Sequence, residues 1–162
     1  MEIRRANDLD LPDLHRLLRQ VLEVHHAGRP DLFRSGREKY TDGELRAILC
    51  DGTRPVFVAV REGTVCGYAF CMFRRFPADN ILTDVQTLYI DDLCVDEKAR
   101  GQGVGRALYD FVRGFAKESG CYNLTLNVWA CNENALRFYE ACGLKPQKIG
   151  MDHPVAVSAV HG

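Results

Sequence analysis

Apolar and polar positions along this chain change period several times, and each change marks an element. Leu14, Leu17, Leu18 and Val21 recur at the spacing of one helix face, so DLDLPDLHRLLRQVLEVHHAG predicts a helix. Asp10 is placed to cap it, with Pro12 and Asp13 in its first turn. The irregular stretch RPDLFRSGREKY follows, then a short helix in TDGELRAILC with Thr41 and Glu44 at capping-box spacing. PVFVAV and TVCGYAFCMF, joined through REG, predict a β-hairpin turning near Glu62 and Gly63. MEIRRA reads as a short edge strand, PADNILTD as a loop, and VQTLYIDDLCV as a strand rich in β-branched and aromatic residues. Val104, Ala107, Leu108, Phe111, Val112 and Phe115 then give the strongest helical period in the chain, and Gly120 is placed to stop it. NLTLNVW alternates, with Leu124, Leu126 and Val128 on one face. NENALRFYEACG predicts a short helix capped by Asn132 and closed by Gly143, and LKPQKIG begins a last strand.

The order is β-α-α-β-β-β-α-β-α-β. A mostly antiparallel first half feeds a β-α-β-α-β second half, which implies an α/β (α+β) mixed sheet with helices on both faces. The 162 residues suit one domain, 1–162, with a sizeable core. A formal net charge of −1 offers no field for nucleic acid or an anionic membrane, and FRRF (73–76) is too short a basic-aromatic run to change that. No apolar run approaches the ~18 residues of a membrane span, and MEIRRANDLDLPD does not read as a signal peptide. Seven scattered cysteines with no C-x-x-C argue against a disulfide framework or a zinc site. The expectation is a cytoplasmic protein with cysteines in its core and no metal.

The chemistry gathers at ARGQGVGRAL (99–108), which places three glycines within five residues between a strand and a helix. A Walker loop needs G-x-x-x-x-G-K-[ST], which is absent, and G-x-G-x-G is one residue short of a dinucleotide fingerprint. Two readings remain. One is a turn that merely joins strand to helix. The other is an anion site, with bare amides and a helix dipole facing one concavity between Arg100 and Arg106.

The rest of the chain favours the second reading. RGQGVG resembles the R/Q-x-x-G-x-G/A loop of the GCN5-related N-acetyltransferase superfamily, with Arg100, Gly103 and Gly105 on the pattern. NENALRFYEACGL resembles that superfamily's N-x-x-A-x-x-x-Y-x-x-x-G-F/L segment through Asn132, Ala135, Tyr139 and Gly143, with Leu144 in place of the usual Phe. LYIDDLCV is similar to its fourth strand. The resemblance covers about Leu88 to Leu144, in the expected order. It implies a mostly antiparallel twisted sheet splayed at the cofactor site, and an acyltransferase that uses acetyl-CoA. The loop residues Arg100, Gly101, Gln102, Gly103, Val104, Gly105 and Arg106 would hold the CoA pyrophosphate. The backbone of Leu93, Cys94 and Val95 would pair with the pantetheine arm as an added strand, and Asn132 would help hold that arm.

An amine with a pKa of about 10.4 must lose its proton before it attacks a thioester, and the departing thiolate must gain one. Tyr139, a phenol of pKa about 10, is the candidate proton donor at the cofactor sulfur. For the acceptor's proton, Asp91 matches a position where some relatives of this superfamily carry an acid, usually Glu. Strand alternation puts Asp91 and Asp92 on opposite faces, so at most one points at substrate. A solvated surface role for Asp91 stays open, and a backbone amide near Leu93 could act as an oxyanion donor. His25 and His26 are either cations at a helix C-terminus or, with Arg29, part of the acceptor pocket. Cys94 has no nearby cation and reads as a core cysteine. The leading reading is an amine N-acetyltransferase working by direct attack in a ternary complex. Its partner would be a small-molecule amine or a peptide or protein N-terminus, with a homodimer left open. A non-catalytic acyl-CoA-binding or sensor domain of the same fold is the alternative. A purely structural domain would leave the glycine loop unexplained.

Overall fold

The computed structural model describes residues 1–156. Its five-stranded sheet has the order β1 (Glu2–Arg5), β2 (Val56–Arg61), β3 (Thr64–Arg74), β4 (Thr87–Val95), β5 (Asn123–Leu126). The first four strands pair antiparallel and β4–β5 is parallel. The β2–β3 hairpin turns through Glu62 and Gly63, both at positive φ (51° and 75°), which matches the expected turn.

Strand alternation sorts the core onto two faces. Val56, Val58, Tyr68 and Phe70 pack under α1 (Leu11–Gly28) and α2 (Asp42–Cys50), against Leu14, Leu17, Leu18, Leu45 and Ile48. Their neighbours Phe57, Ala69 and Cys71 face the other way, onto α3 (Val104–Glu118) with Tyr109, Val112 and Ala116. Phe138 of α4 (Glu133–Ala141) joins that second layer. Burying a large apolar side chain contributes about 1.5–3 kcal/mol, and the two layers together hold the sheet between its helices.

Three local expectations are corrected. Asp10 does not cap α1 with its side chain. Asn7 caps a short 3-10 turn at Asp8–Asp10, and the Asp10 carboxylate turns back to accept from Asn7 N–H (2.8 Å) and from Arg4 (2.8 and 2.9 Å). A buried carboxylate does better with a guanidinium fork than with one amide. β5 ends at Leu126, so Asn127–Trp129 of the alternating run is not strand. The last strand does not form: residues 144–156 carry no regular structure, Pro146 lacks a donor, and Ile149 is 81% exposed. By contrast the Thr41–Glu44 capping box, the Asn132 cap on Ala135 N–H, and the glycine stops at Gly120 and Gly143 are as expected.

Candidate active site

The site is built where β4 leaves β5. Parallel pairing runs from Thr87–Asn123 to Ile90–Leu126 and stops. Beyond Ile90, β4 pairs only with β3, so the other edge of Leu93, Cys94 and Val95 faces a gap in the sheet. A bulge in β4 lies at the same place. Opposite β3, Phe70 pairs with Asp92 and Cys71 with Ile90, leaving Asp91 as the extra residue. A bulge bends its strand and resets its alternation.

That reset corrects the expected opposition of Asp91 and Asp92. Both carboxylates lie on one side, each with an oxygen 3.6 Å from the Lys39 ammonium. Asp92 is the deeper of the two, its side chain 9% exposed against 31% for Asp91. It accepts from the Tyr68 hydroxyl at 2.9 Å. Burial raises the Asp92 carboxyl above its ordinary range, opposed chiefly by Lys39 and by the Tyr68 bond. Burial would lower the Lys39 ammonium, but Asp92, Tyr40 and Asp91 outweigh it and hold it above the ordinary lysine value. Lys39 lies in the irregular stretch between α1 and α2, where no periodicity or motif draws notice. Sequence reasoning missed it, as it missed the Tyr68–Asp92 bond, because each joins segments far apart in the chain.

Tyr139 stands on α4, buried, within electrostatic range of Asp92, Cys71, Cys94 and Cys142. Burial, then those groups, raise its phenol far above the usual value, so it stays protonated at neutral pH. No described residue hydrogen-bonds its hydroxyl, so the proton is available to a ligand. Cys94 is a core thiol. Its Sγ faces the Leu17 carbonyl at 3.7 Å, and burial pushes its pKa up to about 12.

At the far end of the gap, the β4–α3 loop is held from below by α1. Arg16 bonds Asp96, Asp13 (3.0 Å) and the Val65 carbonyl (2.8 Å), and Gln20 accepts from Glu97 N–H at 3.2 Å. Gly101 and Gly103 adopt positive φ (73° and 79°), and a Cβ built on either meets no atom within 4 Å. These two positions need glycine for backbone conformation and leave open space in front of them. The first helical bond of α3 is Ala107 N–H to the Gly103 carbonyl, so the amides of Val104, Gly105 and Arg106 precede the ladder. Gly105 has a different reason: a Cβ there would meet the Phe138 ring at 3.3 Å and Val95 at 3.4 Å. The flanking side chains are engaged elsewhere. Arg100 Nε donates to the Val95 carbonyl (3.3 Å), and Arg106 pairs with Asp110 (2.9 Å) and the Ala141 carbonyl (3.3 Å). Gln102 bridges Arg61 and the Lys98 carbonyl. What the loop presents is therefore chiefly backbone N–H and a helix dipole, a fit for a phosphate.

The three residues expected on the acceptor side separate. His25 stands near Asp92, beside an aromatic wall in which Phe33 lies 5.0 Å from the His25 ring and 5.2 Å from Trp129. Burial lowers its pKa, so the ring is neutral at pH 7. His26 meets the Phe33 carbonyl at 2.6 Å and shapes the loop. Arg29 is tied to Asp31 (2.7 Å) and Asp152 (3.0 Å). Asn132 caps α4 with its side chain. Among the described residues no group of three or more His, Cys, Asp or Glu is placed to hold a metal ion, and no helix is long and apolar enough to cross a membrane.

A family model described as the acetyltransferase (GNAT) family matches residues 18–144. The thialysine N-epsilon-acetyltransferase of Bos taurus is 34% identical over 151 residues, covering 87% of this chain and 82% of that protein. The glucosamine 6-phosphate N-acetyltransferase of Arabidopsis thaliana is 33% identical over 63 residues, which is 39% of this chain and 40% of that protein. The chain thus spans under half the length of the plant protein and most of the bovine one. Among solved structures, a mutant of the BH1408 protein from Bacillus halodurans superposes with a TM-score of 0.92 at 31% identity, covering 96% of this chain and 100% of that one.

Proposed function

The chain belongs to the acetyltransferase (GNAT) family, and from that premise we propose that it transfers the acetyl group of acetyl-CoA to a primary amine of a small, cationic acceptor, by direct attack in a ternary complex. The observation that carries this reading is the gap beside β4. Strand pairing ends at Ile90, the edge of β4 beyond it is unpaired, and beside that edge stand two carboxylates and a protonated phenol, with three helix amides outside the ladder where the strand runs into α3.

In this reading the amides of Gly101 to Arg106 hold the pyrophosphate, and the free edge of Leu93, Cys94 and Val95 takes the pantetheine arm as an added strand. Asn132, at the head of α4, flanks that arm. Bound acetyl-CoA supplies the thioester. The Leu93 amide polarises its carbonyl, as an oriented backbone donor can. Asp91, the more exposed carboxylate, takes the proton from the acceptor's ammonium, with Asp92 behind it. The Tyr139 hydroxyl would give its proton to the sulfur as the C–S bond breaks and the N–C bond forms, and the second proton of the acceptor nitrogen would pass to the phenolate and restore it. His25 lines the acceptor side with Phe33 and Trp129, while His26 and Arg29 shape the loop that carries Phe33. The relatives named for a thialysine and an amino sugar support an amine acceptor, and the small aromatic wall favours a compact one.

The test is incubation of the protein and acetyl-CoA with diamines, lysine analogues, amino sugars and peptides, reading products by mass. The expected result is acetylation of a small amine in preference to peptides. Preference for a peptide N-terminus would overturn the acceptor class. Tight acetyl-CoA binding without turnover on any acceptor would replace the enzyme by a binding domain.

A further inference from the structure

Given the acetyltransfer reading above, on which this rests, we propose that Lys39 is a positioning residue that keeps the Asp91–Asp92 pair ionised, so that the pair can accept the proton of an incoming ammonium. The bulge forces two carboxylates to one side of β4, each 3.6 Å from a single Nζ. Two carboxylates sharing a site resist double ionisation, and one of them holds a proton unless a cation compensates.

The surroundings leave that task to Lys39. From α1 comes His25, neutral at pH 7 because burial lowers its pKa. From β3 come the Tyr68 hydroxyl, which bonds Asp92, and the buried Cys71 thiol. From α4 comes Tyr139, and from β4 itself Cys94, both protonated by burial. Tyr40, from the same stretch as Lys39, lies within electrostatic range of Lys39 and Tyr68. Among the described residues, Lys39 is the cation that forms an ion pair with either carboxylate.

Its position is also built. Glu38 pairs with Arg19, Tyr40 stacks on Phe70 with centroids 6.1 Å apart, Thr41 caps α2, and the Lys39 ammonium lies 5.3 Å from the Tyr40 ring. An ordinary exposed ion pair has little effect. This one reaches a carboxylate whose side chain is 9% exposed, where a cation is poorly screened.

The experiment measures kcat/KM against pH for the parent, Lys39→Met and Lys39→Arg, together with the NMR-detected titration of the Asp92 side-chain carboxyl in each. An opposite charge at this range moves a carboxyl pKa by about 1–3 units. In Lys39→Met the acid limb of kcat/KM and the Asp92 titration both move up by that amount, while the rate on the alkaline plateau is largely kept. Lys39→Arg keeps both near the parent. An unmoved Asp92 titration with an unmoved acid limb overturns the proposal and leaves Lys39 a surface residue. A gain in kcat/KM at every pH overturns it in favour of a lysine that competes with the acceptor. A parent that acetylates nothing, while Lys39→Met still raises the Asp92 titration, refutes the acetyltransfer reading and upholds the electrostatic role of Lys39.

Discussion

Substitution at Gly103 separates the two reasons a loop can carry glycine. Gly103 sits at φ 79° and ψ 2°, and a Cβ on it would touch nothing within 4 Å. The cost to the folded protein of a side chain there is therefore backbone strain alone, about 1–2 kcal/mol for an L-residue in the left-handed region. For a domain of this size that lowers Tm by roughly 2–8 °C. The cost to a phosphate is separate. A branched side chain at Gly103 projects into the open space in front of the α3 amides. Loss of one charge-assisted hydrogen bond removes roughly 1.5–3 kcal/mol of binding, or about 10- to 150-fold in Kd. Gly120→Val is the control. Gly120 ends α3 at the opposite end from the loop, at φ 71°, and a Cβ on it also meets nothing within 4 Å. It should lower Tm through the same strain and leave CoA affinity at the parent value. Calorimetric titration with CoA, with a thermal melt of each variant, reads both quantities. A folded Gly103→Val that binds CoA as tightly as the parent would refute the phosphate assignment and leave a connecting turn.

Tyr139→Phe should keep the buried ring and lose only the proton donor. Turnover should fall by roughly 10²–10⁴-fold with the acetyl-CoA Kd little changed, and equal losses in both would make the hydroxyl a cofactor anchor instead. Asp10→Asn should cost on the order of 1–3 kcal/mol at neutral pH, read by urea denaturation, because it breaks a part-buried guanidinium fork on a buried carboxylate. Burial alone would raise the Asp10 carboxyl, but Arg4 and the Asn7 amide hold it below its ordinary value. Its contribution is thus complete above the unfolded value of about 3.9 and disappears as pH falls through the lower folded value. The acid limb of the stability curve should flatten in Asp10→Asn, and an unchanged limb would show that Asp10 is not coupled to folding in that window.

Periodicity and spacing alone determined much of this protein. The i, i+3, i+4 runs from Leu14 and Val104, the Thr41–Glu44 box and the Asn132 cap are local matters, decided by side chains within one turn of each other. Gly101 and Gly103 were legible because positive φ is a demand on one residue at a time. What tertiary structure decided lies where distant segments meet. The bulge at Asp91 exists only against Phe70 and Cys71 of β3, and it overturns an alternation that the strand taken alone would obey. Lys39 reaches the carboxylates only because α1 and α2 lay their connection over that face of the sheet. Arg16 finds Asp96 across eighty positions of sequence. The expected last strand failed for the same reason in reverse: LKPQKIG has a pattern a strand can use, but a strand is stabilised by the partner that completes its ladder, and residues 144–156 have none among the described residues.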